Sequence, residues 1–164
     1  RRFESFRARH LPCSLPVRRP TRSSANILSA AKGATRPLEY GIVMGAGVAK
    51  QARDKWPVLT MQLGSRLNAH GNQVYLFKLP EKVRLAFNAP YLMTMPTKEH
   101  WAYDGSLPLI AKSAEQMSFL ADALGLTEIL LPAVGTGHAK LNRATVLSIL
   151  QARLDDRFTW IDLP

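Results

Sequence analysis

Cysteine is nearly absent from this 164-residue chain, where Cys13 is the only one. One thiol excludes an internal disulfide framework and any zinc site built from cysteines, and it makes a reducing, cytoplasmic compartment the expectation. Histidine is also scarce. His10, His70, His100 and His138 stand too far apart in sequence to suggest a metal site, so none is expected. No apolar run reaches the ~18 residues needed to span a bilayer, so no membrane segment is expected. Neither the three-glycine dinucleotide fingerprint nor the Gly-Lys-Ser/Thr ending of a P-loop occurs, which argues against a standard NAD dehydrogenase or NTPase. The length suits one domain with a real core and is short for two.

Acidic residues are few where the chain begins. Residues 1–24 carry Arg1, Arg2, Arg7, Arg9, Arg18, Arg19 and Arg22 against Glu4 alone, a balance of +6 out of the total +10. The remaining 15 basic and 11 acidic residues leave only +4 for the body. The same stretch places Pro12, Pro16 and Pro20 at a spacing of four, which blocks helix and favours extended or polyproline-like backbone. Residues 1–24 therefore read as a basic Pro/Arg-rich arm, and residues 25–164 as the folded domain. A solvated tail docked by local contacts and a phosphate-seeking arm are both open to such a sequence.

From Asn26 onward, strand-like and helix-like segments alternate. Val48 to Trp56 reads as a short helix ended by Pro57, and Val58 to about Asn68 as a second, closed by "HGN". "QVYLFKL" (73–79) is β-branched and aromatic, hence a strand; "VRLAFN" (83–88) and "YLMTM" (91–95) are read as two more. In "SLPLIAKSAEQMSFLADALGL", Leu107, Ile110, Ala111, Ala114, Met117, Ala121 and Leu124 share one helical face. Ser106 caps its start, Pro108 sits in the first turn and Gly125 closes it. "TEILLP" reads as a buried strand, "NRATVLSILQARL" as a helix turning Val146, Ile149 and Leu150 inward, and "FTWIDL" as a final strand. Such alternation means an α/β layered domain. Trp56 reads as core.

Two glycine turns lie between strand-like and helix-like segments. Gly45-Ala46-Gly47 opens the helix that starts near Val48, and "PAVGTGHAK" (132–140) follows a buried strand. A helix N-terminus offers unpaired N–H groups and a partial positive charge, and glycine lets an anion approach the backbone. A tight strand-to-helix turn uses the same residues, so one such motif alone is weak. Two at the carboxyl edge of one sheet could grip the two phosphates of a pyrophosphate.

The pair carries a resemblance. "GIVMGAGVAKQARDKWP" (41–57) is similar to the "MGxGxA…P" segment of macrodomains, the ADP-ribose-binding family. "LPAVGTGHAKL" (131–141) is similar to that family's "P-x-x-G-x-G" loop. "MPTKEHW" (95–101) resembles the branch of ADP-ribosyl hydrolases that includes antitoxins reversing DNA ADP-ribosylation. The likeness covers roughly Asn26 to Leu163. It implies a three-layer α/β sandwich, a central mixed sheet with helices on both faces. It also implies that Gly45, Ala46, Gly47 and Val48 contact the diphosphate and distal ribose, and that Gly135, Thr136, Gly137 and His138 form the second phosphate loop. Lys98 would be the catalytic lysine. An amine there can attack the anomeric carbon or stabilise the charge developing on it. ADP-ribose would be a ligand, with no cofactor.

Three departures stand out. Ala139 occupies the place where hydrolases of this branch put an acidic residue. "ATRPLEYG" (34–41) lacks the asparagine pair of many macrodomains, and "ANILSAAKGA" (25–34) has no adenine-recognising aspartate. Loss of a general acid/base costs on the order of 10²- to 10⁴-fold in rate, so binding of ADP-ribose or an ADP-ribosylated macromolecule is expected ahead of turnover. His138, Glu99 and Asp104 are candidate substitutes for the acid. His100 and Trp101 could stack on a base or ribose, although a tryptophan so placed more often anchors a loop. An alternative function is nucleic-acid binding through the arginine-rich arm, with a vestigial pocket. Self-association through the arm is a third.

Overall fold

The computed structural model describes residues 9–10, 24–30, 44–45, 47–100 and 103–162. Most of the arm, Ala46, Trp101, Leu163 and the "ATRPLEYG" stretch lie outside the described residues. The elements are β1 (Arg9–His10), β2 (Ser24–Ala30), α1 (Gly47–Lys55), α2 (Val58–His70), β3 (Tyr75–Lys78), α3 (Glu81–Phe87), β4 (Tyr91–Pro96), α4 (Leu107–Ala123), β5 (Glu128–Pro132), α5 (Arg143–Gln151) and β6 (Phe158–Asp162).

They build one six-stranded sheet in the order β1-β6-β5-β2-β4-β3. Only the β3–β4 pair is antiparallel, with Tyr75 opposite Thr94 and Phe77 opposite Leu92; the other pairs are parallel. Arg9 and His10 pair with Ile161 and Asp162, so two residues from within the basic stretch lengthen the sheet by a short edge strand. The sheet is mixed, and apolar residues cover both faces. On one face Met93, Met95, Ile129, Leu131, Phe158 and Trp160 meet Ile110, Ala114 and Met117 of α4 and Val146 and Leu150 of α5. On the other, Tyr75, Phe77 and Leu92 meet Ala52 of α1, Leu59, Leu63 and Leu67 of α2, and Trp56 between them. The period of two within β4 explains the division. Met93 and Met95 project one way and Leu92 the other, so nearly the whole strand is buried.

Local chemistry sets the helix boundaries. Pro57 begins α2, and the Thr60 hydroxyl donates to its carbonyl at 3.0 Å. The Trp56 indole packs edge-on against Phe77 at 5.9 Å, as a core residue should. Ser106 caps α4 by accepting from the Leu109 N–H at 3.3 Å, with Pro108 in the first turn. At the other end Gly125 (φ +59°) donates to Asp122 and Leu126 donates to Ala121, the two bonds of a Schellman ending. That ending leaves Leu124 half in solvent, so it does not join the inward face expected of it. Asn142 caps α5 through the Thr145 N–H at 3.1 Å.

One expected strand is a helix. "VRLAFN" alternates Val83, Leu85 and Phe87, but Pro80 starts a helix at Glu81 and left-handed Asn88 (φ +49°) ends it. Val83 and Phe87, four apart, pack together on the α1/α2 side of the core, whereas Leu85 is 86% exposed. In a strand all three would share one face; the exposure of Leu85 between the two partly buried neighbours fits the helix instead.

Candidate functional site

Strands β4, β2 and β5 are adjacent and parallel, so Pro96, Ala30 and Pro132 end at one edge of the sheet. Ligands collect at this edge in open α/β sheets. Lys98 follows β4 by two residues and Gly135 follows β5 by three, so the topology brings both expected features to the same edge. Thr97 and Lys98 are buried, Lys98 being 8% exposed. Among the described residues the Lys98 ammonium has no hydrogen-bond or ion-pair partner.

Hydrogen bonds tie the two loops together. The Ser106 N–H donates to the Thr97 carbonyl at 3.0 Å, and the neighbouring Gly105 N–H donates to the Ala139 carbonyl at 2.7 Å. Asp104 and Lys140 add a 3.3 Å ion pair across the same junction, both side chains mostly in solvent. Ala139 is buried, and a Cβ placed on Gly105 would lie 2.9 Å from the Ala139 Cβ and 2.6 Å from Leu141 Cγ. The smallness of Gly105 is therefore what lets the Lys98 loop close on the glycine loop.

The glycine loop after β5 is folded by its own turns. Lys140 donates to the Gly137 carbonyl at 2.8 Å and Leu141 to the Gly135 carbonyl at 3.0 Å. The Thr136 hydroxyl reaches the Ala133 carbonyl at 3.3 Å. Gly135 holds φ +74°, a left-handed conformation that side chains other than glycine adopt at a cost. Gly135 is buried and Thr136 half-buried, while Gly137 and His138 are exposed. Among the described residues, the N–H groups of Gly135, Thr136, Gly137 and His138 donate to no protein acceptor. A run of free amides in a glycine turn is a concave anion receptor.

The first glycine turn lies at the start of α1, which packs on β2. Gly47 is its first residue (φ +57°), Gly45 is exposed and Val48 is half-buried; Ala46 lies outside the described residues. Met44 just before them is buried in the same cluster as Ala52 and Leu92 and anchors the entry to the turn. Among the described residues, nothing lies within 4 Å of where a Cβ on Gly47 would be. Among the described residues no hydrogen bond joins this turn to the Gly135 loop.

Of the candidate substitutes for the acid, Glu99 accepts from the Asn72 amide at 3.3 Å, Asp104 is engaged with Lys140, and His138 is exposed in the second loop. His100 is half-buried with its ring 5.1 Å from that of Tyr103. Asn72 itself was not foreseen from sequence. Its only sequence signal is the "HGN" turn that ends α2, whereas its contact with the Lys98 turn spans 26 positions. Among the described residues no group of three or more His, Cys, Asp or Glu side chains is placed to hold a metal ion, and no helix is long and apolar enough to cross a membrane.

Neither a protein-family model nor a curated protein sequence matches this chain. Solved structures do. The macrodomain of Mycobacterium tuberculosis DarG superposes with a TM-score of 0.69 at 17% identity, covering 94% of this chain and 97% of its own. The macrodomain of Thermus aquaticus DarG gives 0.67 at 20%, covering 88% and 91%. Thermosipho africanus DarTG in complex with ADP-ribose gives 0.68 at 19%, with 88% of this chain matching 39% of that one. These superpositions, each over most of this chain, show that it has the macrodomain fold.

Proposed function

We propose that the chain binds ADP-ribose, alone or attached to a macromolecule, with its diphosphate held between the amides of Gly45, Ala46, Gly47 and Val48 and those of Gly135, Thr136, Gly137 and His138. The run of N–H groups from Gly135 to His138 that have no acceptor among the described residues, at the same sheet edge as Lys98, is the observation that carries this reading. The likeness of this chain to part of the DarTG chain solved in complex with ADP-ribose supports it. Backbone amides suit a diphosphate because their dipoles are fixed, so little reorganisation accompanies binding.

Lys98 in this reading acts at the anomeric carbon of an ADP-ribosyl group, the only part of the ligand whose bond to an acceptor can be cut. Its burial, and the lack of a partner for it among the described residues, leave the amine available to the ligand. Ala139 supplies no acid, so turnover is slower than in a site that has one, and ligand binding is the principal activity. Calorimetric titration with ADP-ribose tests the binding: a saturable one-to-one isotherm is expected, and no heat at millimolar ligand would remove the reading. Release of ADP-ribose from modified DNA or protein by the native chain and by Lys98→Ala tests the chemistry. Equal rates would take Lys98 out of it.

The seven arginines of residues 1–24 favour a second reading, in which the arm holds nucleic acid. It calls for an affinity that falls steeply with salt and disappears when residues 1–24 are removed. Unchanged binding by the shortened chain would refute it.

A further inference from the structure

We propose that Asn72 is a positioning residue for Lys98, an inference that rests on the role given to Lys98 above. Three consecutive carbonyls run through the turn that presents this lysine, and each is gripped by a different donor. The Ser113 hydroxyl of α4 donates to Pro96 at 3.1 Å, the Ser106 N–H donates to Thr97 at 3.0 Å, and the Asn72 side-chain amide donates to Lys98 itself at 3.0 Å. The peptide groups on both sides of the Lys98 Cα are thereby fixed, and with them the direction of its Cα–Cβ bond. No other bond aims the side chain, since its ammonium has no partner among the described residues.

The orientation of the Asn72 amide follows from its surroundings. Its NH₂ faces the Lys98 carbonyl and, at 3.3 Å, the Glu99 carboxylate, and both can only accept. The side-chain oxygen is then buried with no partner among the described residues. A buried acceptor left unpaired works against stability, so this asparagine does little for the fold beyond holding the Lys98–Glu99 turn. It is also a rigid post. The Gly71 N–H before it donates to Leu67 at 2.9 Å, the Tyr75 hydroxyl lies 2.6 Å from the Gly71 carbonyl, and the Val74 N–H after it donates to Gln116 of α4 at 3.0 Å. Asn72 therefore transmits the position of the α2–β3 turn to the lysine.

Reductive trapping reads the placement of the Lys98 amine directly. Free ADP-ribose opens to an aldehyde; the amine condenses with it, losing water, and cyanoborohydride delivers hydride to the imine, leaving a stable secondary amine. Peptide mass spectrometry then compares adduct at Lys98 with that at exposed Lys112 as internal reference. The native chain is expected to label preferentially at Lys98. Asn72→Ala should lower that preference about tenfold or more, since small displacements of a reacting group carry penalties of this size. Its melting temperature should move by less than about 3 °C, because removal of the orphan oxygen offsets the lost bonds. Its affinity for ADP-ribose should stay within about threefold, the phosphate loops being untouched. Asn72→Asp keeps the shape but sets a carboxylate against the Glu99 carboxylate and the Lys98 carbonyl, and should lose the preference equally.

If the native chain binds ADP-ribose but shows no preference for Lys98, the role given to Lys98 fails, and this inference with it. A native preference retained in both variants overturns the inference alone. So does a loss that only tracks falling affinity or melting temperature, which would mark Asn72 as a purely structural residue.

Discussion

Gly105→Ala tests whether the loop bearing Lys98 and the glycine loop after β5 form one rigid unit. The new methyl would lie 2.6 Å and 2.7 Å from Leu141 Cγ and Cδ1, and 2.9 Å from the Ala139 Cβ, all inside normal contact distance. Leu141 can rotate aside, but a Cβ moves only with its backbone. The two loops must therefore part, which strains the 2.7 Å bond from Gly105 to Ala139. Overpacking of this kind costs about 1–3 kcal/mol, and for a chain of this size that is a fall in melting temperature of about 2–12 °C. ADP-ribose binding should weaken as well, because the amides of residues 135–138 lose the support that fixes them. Differential scanning calorimetry and ligand titration, each on the native chain, Gly105→Ala and Gly105→Ala/Ala139→Gly, give the answer. The double variant removes the fixed clash and should recover part of both losses, a coupling that independent sites would not show. A Gly105→Ala chain that melts and binds like the native one would refute the reasoning.

Other expectations follow from the same geometry. Gly135→Ala forces a side chain into φ +74° and brings its Cβ to 3.1 Å from Leu141 Cδ1, so a loss of about 1–3 kcal/mol is expected in denaturant unfolding. Arg157 holds the Asp155 carboxyl below its ordinary range, chiefly by the side-chain hydrogen bond between them. A carboxylate depressed in the folded state stabilises above its unfolded pKa of about 3.9, and that stability is lost as pH falls through the folded value. Asp155→Asn should therefore cost under about 1 kcal/mol at pH 7 and flatten the decline in melting temperature below about pH 4. Asp104→Asn removes a solvent-exposed ion pair with Lys140 and should shift stability by less than about 1 kcal/mol.

Much of the fold is legible in local chemistry. Ser106, Pro108 and Gly125 mark α4, and Pro57 divides α1 from α2, because caps and breakers act within a turn of where they stand. The strand expected at "VRLAFN" failed because a three-residue alternation fits both periods, and only the solvent around Leu85 distinguishes them. Leu124 fell outside the buried face because the left-handed Gly125 turns the chain one residue after it. For the site, two glycine turns and Lys98 were visible as short motifs. Their supports were not. Gly105 meets Ala139 and Asn72 meets Lys98 across long sequence separations, and nothing in either local pattern records the partner.

The most direct test of the central claim is a crystal structure of the native chain with ADP-ribose bound. Diphosphate oxygens should lie within hydrogen-bonding distance, about 2.7–3.2 Å, of amides from both glycine turns, with the distal ribose toward Lys98. A diphosphate bound away from residues 135–138, or held there with the Gly45–Val48 amides turned elsewhere, would contradict it.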